Sequence, residues 1–75
     1  MNEQRDTERM LELVAQVNAA LSHDFAIVVE CIGLDATAIV LWTDPAGMVH
    51  VMARRAGVGW RDAIQRALRW LGQLG

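Results

Sequence analysis

Three short β-branched runs decide the fold: Phe25-Ala-Ile-Val-Val-Glu-Cys-Ile32, Thr37-Ala-Ile-Val-Leu-Trp42 and Met48-Val-His-Val-Met-Ala53. Branching at Cβ suits a pleated surface and handicaps a helix, and each run is too short for a globular helix. Gly33-Leu34-Asp35 reads as the turn between the first two. Asp44-Pro45-Ala46-Gly47 follows the second, with Asp at i, Pro at i+1 and Gly at i+3, the composition of a type I turn. Connections this short join strands running in opposite directions. The runs therefore predict a three-stranded antiparallel meander.

On both sides the apolar period changes from two to that of a helix. From Glu3 to Leu21 the apolar residues Met10, Leu13, Val14, Val17 and Leu21 form one stripe, and Ser22-His23-Asp24 ends it. Glu3, Asp6 and Glu8 sit in its early turns, where carboxylates suit the positive end of the dipole. From Trp60 onward Trp60, Ile64, Ala67, Leu68, Leu71 and Leu74 share a face, with Ala63 and Trp70 at its edge. Gly57-Val58-Gly59 leads into this helix and Gly72 marks its fraying end. The predicted class is α+β, in the order α-β-β-β-α, with both helices on one face of the sheet and residues 1–75 forming one small domain.

Connections of four residues, Gly33–Ala36 and Asp44–Gly47, pair Ile32 with Thr37 and Thr43 with Met48, and register then assigns the faces. One face gathers Phe25, Ile27, Val29, Cys31, Ala38, Val40, Trp42, Val49, Val51 and Ala53, all apolar, which makes it the face the helices cover. The other gathers Ala26, Val28, Glu30, Ile32, Thr37, Ile39, Leu41, Thr43, Met48, His50, Met52 and Arg54. An antiparallel sheet with one wet face is normally polar there. Val28, Ile39, Leu41, Met48 and Met52, with His50 at their rim, break that rule and mark a surface for a protein partner or a second copy.

Composition excludes several classes. The 75 residues are 53% hydrophobic, which excludes a disordered or low-complexity chain. A single cysteine excludes a disulfide scaffold and fits a reducing, cytoplasmic setting. The polar start Met1-Asn2-Glu3-Gln4-Arg5-Asp6 predicts no signal peptide, and the charge-free stretch Ala36–Thr43 is too short for a membrane span. The net charge of −2 is divided unevenly. Residues 1–44 carry two arginines against eight acids, a net of −6; residues 45–75 carry five arginines against Asp62, a net of +4. Arg54, Arg55, Arg61, Arg66 and Arg69 thus form a candidate basic face for carboxylates or phosphates. Carboxylates are the expected partners, from Asp62 and from Glu3, Asp6, Glu8 and Glu12 of the first helix.

Catalytic and metal constellations do not assemble from these residues. Register sets Cys31 inward and His50 outward, and His23 sits at a helix end, so no Cys–His pair forms. No CxxC, HxxxH or HExxH spacing exists. Cys31 reads as a small buried hydrophobe. Gly57-Val58-Gly59 lacks the third glycine of a dinucleotide loop and the Lys of a P-loop. Trp42, Trp60 and Trp70 fit the core or its edge. No enzyme, cofactor or metal is expected.

The α-β-β-β-α order, the glycine-containing loop Gly57-Val58-Gly59 after the third strand and the basic closing helix resemble the double-stranded-RNA-binding domain. That resemblance implies phosphate contacts at the start of the last helix, near Arg61. The chain has Arg61-Asp62-Ala63 where that family has consecutive basic residues, and an acidic first helix where it touches RNA. In style, a very short acidic domain with an apolar docking surface is also similar to the host-modulating proteins of phages and mobile elements, anti-CRISPR inhibitors among them. The leading expectation is a non-enzymatic module acting by stoichiometric docking or self-association. The alternative is a nucleic-acid-binding domain using the arginine face.

Overall fold

The computed structural model describes residues 2–74, with side chains placed over 5–73. Its elements are α1 (Asn2–Ala20), β1 (Phe25–Ile32), β2 (Asp35–Thr43), β3 (Val49–Gly57) and α2 (Trp60–Leu74). The strands form an antiparallel sheet in the order β1-β2-β3, so the expected meander is the observed one.

The first hairpin is tighter than four residues. Ile32 pairs with Asp35, leaving Gly33-Leu34 as a two-residue turn. Gly33 has φ +61°, the left-handed conformation that such turns favour and that glycine adopts without a Cβ penalty. The register differs from the expected one by two residues. An even shift keeps every side chain on its face. Phe25, Ile27 and Val29 still stand beside Trp42, Val40 and Ala38.

The second hairpin closes through the expected turn. Gly47 N donates to Asp44 O and Asp44 N donates to Met48 O, both at 2.9 Å. The Asp44 carboxylate reinforces it, with Oδ1 accepting from the backbone N–H groups of Ala46 and Met48.

Further along β3 the register breaks. Val40 pairs with Ala53 but Leu41 pairs with Val51, so Met52 is an extra residue without a β2 partner. A bulge of one residue inverts every face on one side of it. Val49 and Val51, expected inside, therefore point away from the helices and are exposed; His50, expected outside, stands beside Trp42 on the inner face.

The core lies between the sheet and α2. Ile27, Ala36, Ala38, Val40 and Ala53 from the sheet meet Trp60, Ala63, Ile64 and Ala67. Met10, Leu13, Val14, Val17 and Leu21 of α1 pack at its flank with Phe25, Val29, Trp70 and Leu71. The alanines let α2 come close. Gly57 carries this furthest: a Cβ there would lie 2.5 Å from the Ala63 backbone nitrogen. Leu68, expected in the core, is 37% exposed. It lies about 100° around the helix from Ala67, off the stripe centred on Ala67 and Ile64.

Cys31 keeps its inner-face register opposite Ala36 but is exposed rather than buried. A groove opens there between the start of α1, the β1–β2 hairpin and the start of α2, lined by Met10, Cys31, Leu34 and Trp60 among others. Cys31 Sγ lies 3.7 Å from Met10 Sδ on its wall.

α1 is fastened to β1 by a side chain that periodicity alone does not mark. Asn18 Oδ1 accepts from Ile27 N at 2.8 Å and Asn18 Nδ2 donates to Ile27 O at 3.1 Å. At the groove, Trp60 Nε1 donates to Asp6 Oδ2 at 3.0 Å, joining the two helices.

Candidate functional site

Register builds the outer face row by row. Ala26, Leu41 and Val51 form one row across the three strands; Val28, Ile39 and Arg54 form the next; Glu30, Thr37 and Ala56 form a third. Thr43 and Val49 extend it at one end. Both helices pack on the opposite face, so no described element covers this one. Its apolar members are well exposed on the flanking strands: Val28 at 42%, Val51 at 51% and Val49 at 60%. Ile39 and Leu41 on the central strand are half-buried among them.

Val28, Ile39 and Leu41 stand where register reading puts them. Met48 lies just before β3 and is exposed, and Met52 is exposed at the bulge. His50 leaves the set. Its ring stacks on Trp42 with centroids 5.4 Å apart, and its Nε2 lies 2.7 Å from Asp44 Oδ2. That hydrogen bond, followed by the one from Met48 N, holds the Asp44 carboxyl below the usual carboxylate range. Val49 and Val51 replace His50 on the face. The local signal was Val51-Met52-Ala53, three apolar residues in a row where a one-sided strand should alternate.

Two polar groups border the apolar patch, Glu30 on β1 and Arg54 on β3, and both are exposed. Neither side chain has a hydrogen-bond or ion-pair partner among the described residues. The sheet edges are better furnished. Asn18 occupies the Ile27 backbone groups of β1, and Arg55 Nη1 donates to Arg54 O on β3 at 2.8 Å.

The five arginines do not form a single face. Arg54 lies on the outer sheet face, beside Ile39. Arg55 is on the helix side, its guanidinium 5.9 Å from the Trp70 ring centroid. With Arg66, Arg69, Trp70 and Gln73 it lines a groove of about 240 Å³. Arg66 Nε donates to Asp62 Oδ2 at 3.0 Å, an i, i+4 pair. Asp62 also accepts from Val58 N, and these contacts, the backbone one first, hold its carboxyl below the usual range.

Arg61, the residue nearest the phosphate contact implied by the RNA-binding resemblance, lies over the Trp60 ring at 4.6 Å. Of the carboxylates expected to meet the arginines, Asp62 does so. Asp6 accepts from Trp60 instead, neither Glu8 nor Glu12 forms an ion pair with them, and the Glu3 side chain lies outside the described residues. Among the described residues no three His, Cys, Asp or Glu side chains gather closely enough to hold a metal ion.

No described helix is long and apolar enough to cross a membrane. No protein-family model, curated protein or solved structure matches this chain.

Proposed function

We propose that this chain is a non-enzymatic protein-binding module that docks stoichiometrically through the outer face of its sheet. One observation carries the reading: an apolar patch built from Val28, Ile39, Leu41, Val49 and Val51 lies open, with exposed Met52 at the bulge, beside a separate core. Exposed patches of this kind mark interaction surfaces, and burial returns roughly 25 cal/mol per Å² of apolar area. The polar contacts on both edge strands favour the face over strand addition at an edge. A module of this kind acts by occupying a partner's surface, the mode of the phage and mobile-element inhibitors it is similar to in style. The exposed free thiol of Cys31 supports a reducing, cytoplasmic setting.

The arginine groove supports a second reading, nucleic-acid binding, because Arg55, Arg66 and Arg69 converge beside an aromatic ring. Arg54 on the opposite face and the Asp62–Arg66 pair weigh against it. Titrating short RNA and DNA duplexes at about 150 mM salt and following anisotropy separates the two readings, since phosphate contacts give steep salt dependence. The docking reading expects weak, sequence-indifferent binding that survives Leu41→Glu. Submicromolar binding abolished by Arg66→Ala with Arg69→Ala establishes the second reading instead.

A further inference from the structure

We infer that the occupant of the outer sheet face is a second copy of this chain, related by a twofold axis along β2, with Glu30 of each copy meeting Arg54 of the other. The inference rests on the docking reading and names its partner.

The argument is one of charge and register. The outer face has an acid on one flanking strand and a base on the other: Glu30 in the row of Thr37 and Ala56, Arg54 in the row of Ile39 and Val28. A twofold axis parallel to the strands keeps each row at its level and exchanges the flanks, so β1 of one copy lies over β3 of the next. Glu30 then stands above the Ala56 position, one same-face neighbour from Arg54. Stacked sheets lie about 10 Å apart and same-face neighbours about 6.7 Å apart, a gap that these two long side chains bridge. Symmetry makes the contact twice, as an isologous interface requires.

A twofold axis across the strands in the row of Ile39 would lay β3 on β3 and bring Arg54 against its own copy. Like charges set against each other suppress that arrangement. Along the first axis Ile39 and Leu41 meet their own copies at the centre, with Val28 and Val51 on the flanks. The apolar patch is thereby buried and the unpaired charges are used at its rim. Along this axis Asp35, outward at the hairpin end of β2, comes level with its own copy; it is exposed one row beyond Glu30, at the end of the sheet, where salt screens the pair.

Analytical ultracentrifugation across micromolar concentrations tests this on wild type, Leu41→Glu, Glu30→Arg, Arg54→Glu and the double exchange Glu30→Arg with Arg54→Glu. Circular dichroism checks that each variant is folded. Wild type should sediment as a dimer and Leu41→Glu as a monomer. Each single inversion should weaken dimerisation on the order of tenfold, from two rim pairs per dimer. The double exchange should restore wild-type affinity. A wild-type monomer overturns the inference while leaving the docking reading to a different protein. A dimer that ignores Leu41→Glu places the contact elsewhere on the molecule and overturns the inference. A dimer broken by Leu41→Glu in which the double exchange is no better than either single change keeps the face and overturns this symmetry.

Discussion

Asn18 spends both ends of its amide on one residue, accepting from Ile27 N and donating to Ile27 O. Side chain and backbone together reproduce the two-bond exchange of an antiparallel ladder, at a strand that has β2 on its other side. A single helical residue thus closes part of an open sheet edge and fixes how α1 lies on β1.

Asn18→Ala removes that closure and leaves two partly buried backbone groups without a partner. The expected loss is about 1–3 kcal/mol, which for a chain of this size lowers Tm by roughly 4–8 °C per kcal/mol. A thermal melt reads it. An unchanged Tm would mean that the amide contributes nothing to the join.

The core reading separates two residues that share a nominal face. Ile64 is 1% exposed, whereas Leu68 is 37% exposed. Ile64→Ala should cost about 2–5 kcal/mol and leave so small a domain largely unfolded. Leu68→Ala should cost well under half as much. Urea titrations of the two variants compare them directly, and equal losses would contradict the placement of α2.

Two glycines of ordinary appearance should respond in opposite directions. At Gly57 a Cβ would meet the backbone of Ala63 at 2.5 Å and Asp62 at 2.9 Å, so Gly57→Ala forces α2 away from β3 and lowers Tm by many degrees. At Gly72 a Cβ meets nothing within 4 Å, so Gly72→Ala adds helix propensity, about 0.5–1 kcal/mol, and raises Tm.

Asp44 and Asp62 both titrate below the ordinary carboxylate value in the folded chain, through the His50 and Val58 contacts respectively. A depressed folded value means that each carboxylate stabilises the fold above the unfolded value near pH 4 and loses that contribution as pH falls through the lower one. The Tm difference between wild type and Asp44→Asn, or Asp62→Asn, should be full at about pH 5 and shrink below about pH 4. A difference that stays constant into acid would show that the contacts do not bind the ionised form preferentially.

Most of the architecture is legible in the sequence because its signals are local. The turn Asp44–Gly47, the helical stripes and the β-branched runs each act over a few residues and agree with one another. What is not legible depends on single residues acting at a distance. The bulge at Met52 inverts the faces of Val49, His50 and Val51, and only the lapse of alternation at Val51-Met52-Ala53 hints at it. Asn18 falls on the apolar stripe at i+4 from Val14, a position whose polarity makes sense only once Ile27 is beside it. The open outer face survives both misreadings because Val28, Ile39 and Leu41 lie on strands whose register slipped by an even number. Arg54 and Arg55 part because neighbouring strand residues face opposite ways, and Arg55 and Arg61 lie over tryptophan rings rather than beside the carboxylates of α1.

The central claim, that a second copy covers the outer sheet face in solution, is tested most directly by methyl NMR with a soluble nitroxide. Leu34 and Val58, at 94% and 87% exposure, serve as the open reference, and Ile27 and Val40 as the closed one. At concentrations where the chain associates, Val28, Ile39, Leu41 and Val51 should be shielded from broadening nearly as well as Ile27 and Val40, and dilution or Leu41→Glu should return Val28 and Val51 to open behaviour. Broadening of Val28 and Val51 to the level of Leu34 at every concentration would contradict the claim.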